Sequence, residues 1–539
     1  MKFLVSYTLI AVLFAETWAC VFEGSNTPVS LPRRFMLTRR GPKHPFGSGN
    51  RFSVAGVVPQ GLGLGGPVPS SILNHDEIES AMDALLISFP TLVTKFTTPY
   101  QSVGGASLHG WKIRKGENCD DAFPILMIAG IHPRERGGPD NLIYFISDLL
   151  HADAATTGLT YGGKSYTSTE VKMALEAGIV ILPAVNPDVL KDNVENTRGC
   201  LNSRKNRNDV DLNRNFDFIF DLNKFAPGVS PASAGPTSEV YQGLNAFSEP
   251  ETESIRWTMD KFKKLRWFMD IHSGSEEGLV LYNWGDDLNQ WREPSMNFQN
   301  PAHHGKIGVI PDQAGLEYME YLPEADYDEK VLAAHKMADA MVASTGRIYV
   351  AKQSVGLYPT CGTSDDYAYS RHIDNIDNSK IHGFTLEFGN VPGRHHGVPC
   401  EDVFYPDATT FEKNMLEVGA GLMEFILTAS KIGLGEPVQC VDTPPCAEPC
   451  DLGPINQCGT RASCVRFQPG TNTPNKDKGF CFCQAGFKPA ESVLQYRLTW
   501  AQDGGQSHRV VVNPGQDCLQ VCNNPADWCS EVPIKDACA

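Results

Sequence analysis

Short apolar runs and longer amphipathic stripes alternate along residues 75–432. The runs over 107–113, 125–131, 178–185, 266–271, 278–282 and 383–388 predict strands. Apolar positions three and four apart predict helices over 168–177, 250–264, 328–345 and 411–431. A further helix is predicted from His75-Asp76, with Asp76 as its cap, through Ile78, Met82, Leu85 and Leu86 to Pro90. Both patterns meet in 124–150. There an apolar run breaks at His132-Pro133, and Gly137-Gly138-Pro139 leads into a helix carrying Leu142, Phe145, Ile146 and Leu149. The alternation predicts an α/β fold: a mixed, largely parallel twisted sheet with helices on both faces.

The pattern stops at both ends. Met1-Lys2, the apolar run 3–15, and Thr17 and Ala19 read as a secretory signal peptide over 1–19. Residues 20–74 are rich in Pro, Gly and Ser and contain Arg33-Arg34 and Arg39-Arg40. They read as a prosegment or a disordered linker, with a dibasic pair as a candidate processing site. A linker is expected over 433–449. Eleven of the 16 cysteines lie between Cys440 and Cys538, so a small disulfide-rich C-terminal module is expected over 450–539. Its segment Cys481-Phe482-Cys483-Gln484-Ala485-Gly486-Phe487 resembles part of an EGF-like module, which would offer an extracellular partner a binding surface. The odd number of tail cysteines suggests one bridge to the other module, with Cys20 a candidate.

Composition narrows the function. A formal charge of −17 argues against a nucleic-acid or anionic-membrane binder, because both need positive surfaces. No second apolar stretch is long enough to span a bilayer, so a secreted, extracellular protein is expected.

The candidate chemistry sits at strand ends. His132 and Glu135 leave the strand over 125–131, where open α/β sheets bind ligands. His272 ends the strand in Trp267-Phe268-Met269-Asp270-Ile271-His272. Two imidazoles and a carboxylate are the set that holds a catalytic zinc and leaves one position open; a structural zinc would favour cysteines. Glu387 stands alone among apolar neighbours in Phe384-Thr385-Leu386-Glu387-Phe388, which is costly unless it is paired or used. Arg204 and the run Asp211-Leu212-Asn213-Arg214-Asn215 supply side chains suited to carboxylates and oxyanions.

These motifs, with Asn186-Pro187-Asp188 and Tyr358 in 358–369, occur in the order seen in zinc metallocarboxypeptidases of the carboxypeptidase A/B type, and the chain resembles that family over about 75–430. The resemblance implies one Zn2+ on His132, Glu135 and His272, with Asp211 orienting the first histidine. It implies Glu387 as general base and acid, and Arg204 as the group that polarises the scissile carbonyl. Asn213, Arg214 and Tyr358, with Arg134 nearby, would grip the free C-terminal carboxylate of a peptide or protein. Asp365 falls where B-type members carry an aspartate at the pocket floor, so removal of Lys or Arg is slightly favoured over a neutral or broad preference. The chain departs from the family in Gly274, which stands for a tyrosine, in Tyr367, which stands for a tryptophan, and in a longer interval from Tyr358 to Glu387. Its N-terminal region looks too short for a folded prodomain. The alternatives weighed are a zinc-dependent N-acyl amino acid deacylase and a catalytically inactive extracellular binding protein.

Overall fold

The computed structural model describes residues 43–195, 203–275, 277–389 and 404–435, and in the C-terminal region 450–451, 457–466, 478–490, 495–498, 509–522, 529, 532 and 534–535. The expected signal peptide, Cys20, both arginine pairs and the linker from 436 onward lie outside these residues. In chain order the first unit contains α1 (His75–Ser88), β1 (Val93–Gln101), β2 (Ser107–Ile113), β3 (Ile125–Ala129), α2 (Gly138–Ala155), β4 (Leu159–Tyr161), β5 (Lys164–Tyr166), α3 (Ser168–Ala177), β6 (Ile179–Leu182) and α4 (Pro187–Glu195). It continues with α5 (Pro250–Lys261), β7 (Trp267–Ser273), β8 (Gly278–Tyr282), β9 (Asn289–Gln290), β10 (Glu320–Tyr321), α6 (Glu324–Thr345), β11 (Tyr349–Gln353), α7 (Ser364–Asp374), β12 (His382–Phe388) and α8 (Ala408–Ile432).

An eight-stranded mixed sheet runs in the order β1-β2-β6-β3-β7-β12-β8-β11. The four central strands β6, β3, β7 and β12 are parallel, while β1, β2 and β8 introduce antiparallel pairings. β3 and β7 are buried along their whole length, so both faces of the sheet are covered. Side chains alternate across the strands. Ile125, Met127, Trp267, Met269, Ile271, Phe384, Leu386 and Phe388 enter the main core with α2, α3, α6 and α8. Asp270, His272, Thr385 and Glu387 therefore share the opposite face. The pairing of Glu387 with His272 in the β12/β7 register sets these two side by side.

The helix expected from His75-Asp76 is capped two residues earlier than the pattern indicated, at Asn74 rather than Asp76. Asn74 accepts from the Glu77 amide at 2.9 Å and Glu77 accepts from the Asn74 amide at 3.1 Å, a reciprocal box that Asp76 cannot form. β1, β11, α4 and α7 had no apolar signature. α7 in particular is polar in sequence, SDDYAYSRHID, yet its first eight residues are buried through hydrogen bonds rather than an apolar stripe.

The stretch expected as prosegment or disordered linker is, over 43–74, part of the fold. Phe52, Leu62, Ile72 and Leu73 enter the main core. Leu73 N donates to Asp140 at 2.8 Å, Gly63 N donates to Asp148 at 2.8 Å, and Ser147 Oγ donates to the Pro59 carbonyl at 2.5 Å. Burial pushes Asp148 from 3.8 up to about 7, against the bonds from Gly63 and Tyr161. A raised carboxyl stabilises the fold below its unfolded pKa, and that stabilisation is lost as pH rises through the folded value. The unit should therefore lose stability between about pH 4 and 7, with Asp148 contributing up to about 4 kcal/mol. Asp148→Asn is expected to flatten this slope in melting curves; an unchanged slope would refute the assignment.

Residues 439–539 form a second unit. Ala462–Arg466 pairs antiparallel with Lys478–Cys483, and among the described residues four bridges hold it: Cys450–Cys464, Cys458–Cys481, Cys483–Cys518 and Cys522–Cys529. So small a unit depends on such cross-links for its stability.

Candidate active site

β3 ends at Ala129, and the chain turns beyond it through His132, whose carbonyl accepts from the Glu135 amide at 3.1 Å. β7 carries His272 to the same end of the sheet. His132 Nδ1 lies 2.8 Å from Glu135 Oε1 and 3.0 Å from His272 Nδ1, and His272 Nδ1 lies 3.0 Å from Glu135 Oε2. One ligand atom from each of the three lies within 4.8 Å of the other two, and all three residues are buried. Burial works to raise the Glu135 carboxyl, but the two imidazoles outweigh it and hold it well below the carboxylate range.

The outward nitrogens are also fixed. His132 Nε2 meets Asp211 Oδ1 at 2.9 Å, and His272 Nε2 meets Asp270 Oδ2 at 3.1 Å. Each imidazole is thus backed by a carboxylate, leaving Nδ1 of both directed at Glu135. Two imidazole nitrogens and one carboxylate, converging from different elements, suit a zinc ion with an open position.

A cleft of about 440 Å3 opens beside this centre, lined by His132, His272, Glu387, Arg204, Asn213, Arg214, Tyr358 and Asp365 among others. Burial and then the Glu135 carboxylate push Glu387 up to about 8, while His272 and Arg204 pull it down. A bound dication would act in the same direction as His272 and Arg204. Arg204 donates from Nε to Asp211 Oδ2 at 2.9 Å and approaches Glu135 at 3.8 Å. Burial opposes its charge, yet Asp211, Tyr358 and Glu135 keep it cationic.

Asp211 caps the short turn Leu212–Arg214, accepting from the Asn213 amide at 3.1 Å. Asn213 accepts from the Ser364 amide at 2.9 Å, which ties this turn to α7. Arg214 is 2 % exposed and donates to the carbonyls of Pro231 at 3.0 Å and Asn213 at 2.6 Å. Among the described residues no carboxylate forms an ion pair with it. Asp365, in the first turn of α7, accepts from Ser354 Oγ at 3.1 Å and the Asp366 amide at 3.0 Å, again without a cation paired to it among the described residues.

Arg134 does not join this group. It is not among the residues lining the cleft; it pairs with Glu239 at 3.2 Å and lies 4.9 Å over the Phe404 ring. The Phe404 ring also packs on Gly274, where a Cβ would stand 2.1 Å from it and where φ is +103°. Asp270 was missed in the sequence. It is fully buried, and Ser364 Oγ donates to its Oδ2 at 2.6 Å. The available signal was a charge two residues before His272 in a strand, hence on the same face.

The family model described as zinc carboxypeptidase matches residues 78–418. Carboxypeptidase B of Astacus astacus is 24% identical over 356 residues, covering 64% of this chain and 94% of that protein. Carboxypeptidase B of Helicoverpa zea is 27% identical over 227 residues, covering 40% of this chain and 47% of that protein, so the chain spans about half of that relative's length. Among solved structures, bovine thrombin-activatable fibrinolysis inhibitor in complex with tick carboxypeptidase inhibitor aligns with a TM-score of 0.47 at 19% identity, covering 67% of this chain and 97% of that one.

Proposed function

The chain belongs to the zinc carboxypeptidase family, a family of hydrolases, and on that premise we propose that it removes single amino acids from the free C-termini of peptides or proteins, with Lys and Arg favoured. The observation that carries this reading is Arg214: a buried guanidinium without a carboxylate partner among the described residues, in the cleft that holds His132, Glu387 and His272. A buried charge needs compensation, and the carboxylate at the end of a peptide supplies it.

Each group has a task in that reaction. Bound at His132, Glu135 and His272, zinc supplies a Lewis acid that polarises the scissile carbonyl and acidifies water. Glu387 takes the proton of the attacking water and delivers it to the leaving amine. Arg204, held cationic by Asp211, donates to the carbonyl oxygen as negative charge grows on it. Arg214, Asn213 and Tyr358 hold the terminal carboxylate and thereby place the last peptide bond, and no other, beside Glu387. Asp365 lies in the same cleft with its carboxylate available to a basic side chain. The four bridges among the described residues of the C-terminal unit suit an oxidising compartment and support secretion. Among the described residues no helix is long and apolar enough to cross a membrane.

The test is release of the last residue from peptides ending in Arg, Lys, Leu or Phe, each with a free or amidated terminus. Release from free termini alone is expected; equal release from amidated peptides, or none from either, would sink the proposal. Asp365→Ala is expected to lower kcat/KM for Arg- and Lys-terminated peptides by roughly 10²-fold and to leave Leu-terminated ones nearly unchanged. A parallel fall for all four would show that Asp365 shapes the fold rather than the preference.

A further inference from the structure

A buried lysine lies outside the lining of the cleft. Lys330 of α6 is fully buried, its Nζ donates to Asn283 Oδ1 at 2.5 Å, and it stands 3.5 Å over the face of Tyr369 in α7. Asn283, the residue after β8, passes this contact forward. Its Nδ2 donates to the Asp365 carbonyl at 2.7 Å and reaches Asp366 Oδ1 at 3.3 Å. Lys330 therefore reaches α7 through the Tyr369 ring and through Asn283, and it is not among the residues lining the cleft.

The surroundings are strongly acidic. Asp365, Asp366, Asp286 and Glu320 are all at most 3 % exposed. Burial, and then the neighbouring Asp365, push Asp366 well above the carboxylate range, and burial together with Glu320 and Asp366 does the same to Asp286. Both groups are thus held toward the neutral form. Among the described residues no carboxylate forms an ion pair with Lys330. Burial pulls it down to about 7, with Lys380 acting in the same direction, while Asp326, Asp366 and Asp365 act to keep it charged.

We infer that Lys330 is a specificity-determining residue: from outside the lining of the cleft it offsets the charge that Asp365 presents there, and so limits how far a basic C-terminal residue is preferred over a neutral one. The inference rests on the reading of Asp365 as the floor of the substrate pocket. Lys330 touches neither substrate nor the candidate metal centre, and it acts through the field at Asp365. A unit charge in such an environment, at an effective dielectric near 20, alters binding of a second cation by roughly tenfold.

The experiment compares kcat/KM for peptides ending in Arg and in Leu, with free termini, in the full-length zinc-loaded protein and in Lys330→Gln, Lys330→Met and Lys330→Arg. Gln preserves a donor for Asn283 without the charge, and Met fills the volume without a polar atom, so either carries the comparison if the other fails to fold. The Arg/Leu ratio is expected to rise about 5- to 20-fold in the neutral variants, chiefly through KM for the Arg peptide, and to stay within twofold in Lys330→Arg. In an Asp365→Asn background the neutral variants should leave the ratio unchanged. A folded neutral variant whose ratio stays within twofold, or falls, overturns the inference while leaving the proposed activity standing. Absence of any release by the unsubstituted protein overturns both.

Discussion

Glu387→Gln is expected to lower kcat for C-terminal release by about 10²–10⁴-fold with KM changed only a few-fold, because the amide keeps the shape of the carboxylate and cannot carry the proton. The argument is geometric first. Glu387 is set beside His272 by the β12/β7 register and lines the same cleft as His132 and Arg204. An acid on an otherwise apolar strand is tolerated where it has work to do, and the neighbours that raise and lower its proton affinity are the same groups that surround the reacting bond. Steady-state kinetics on an Arg-terminated peptide decides the matter. A kcat within tenfold of the unsubstituted protein would assign the proton transfers elsewhere.

Removal of zinc is expected to have the larger effect, at least about 10³-fold on release, reversed by adding zinc back. It should also lower the melting temperature, since a ligand that binds only the folded state stabilises it by mass action. The two readouts are linked here because His132 and His272 are locked by Asp211 and Asp270 on their far sides. Besides the two imidazoles, Glu135 accepts from the Ser273 amide at 3.1 Å and lies 3.8 Å from Arg204. Asp270→Ala should then weaken zinc binding about 10- to 100-fold in chelator competition, even where residual activity at saturating zinc is high. Activity indifferent to chelation, with an unchanged melting curve, would remove the metal from the reading altogether.

Much of the site was legible because each principal residue interrupts a strong pattern. His132, His272 and Glu387 terminate or punctuate strands whose apolar character is unmistakable, and the order of their motifs did the rest. Asp270 escaped since a single acid inside a strand looks the same whether it points to an imidazole or to solvent. Arg134, expected near the carboxylate grip from its position in the motif, is paired with Glu239 and lies over Phe404. The segment 43–74 was illegible for a different reason. Its four core residues are separated by Pro and Gly without a period, so their burial depends on contacts with α1 and α2 rather than on any local pattern. α7 was hidden likewise, its burial being polar.

Gly274 and Phe404 lie 130 residues apart in sequence, yet one occupies the volume the other vacates. A tyrosine introduced at 274 would meet the ring and a disfavoured backbone angle together, while a small residue at 404 would leave a hole against Arg134. A side chain at 274 clashes for as long as the Phe404 ring is in place, so an evolutionary path between this arrangement and one with a side chain at 274 must shorten position 404 first. The two sites are epistatic, and the order of substitution is dictated by sterics.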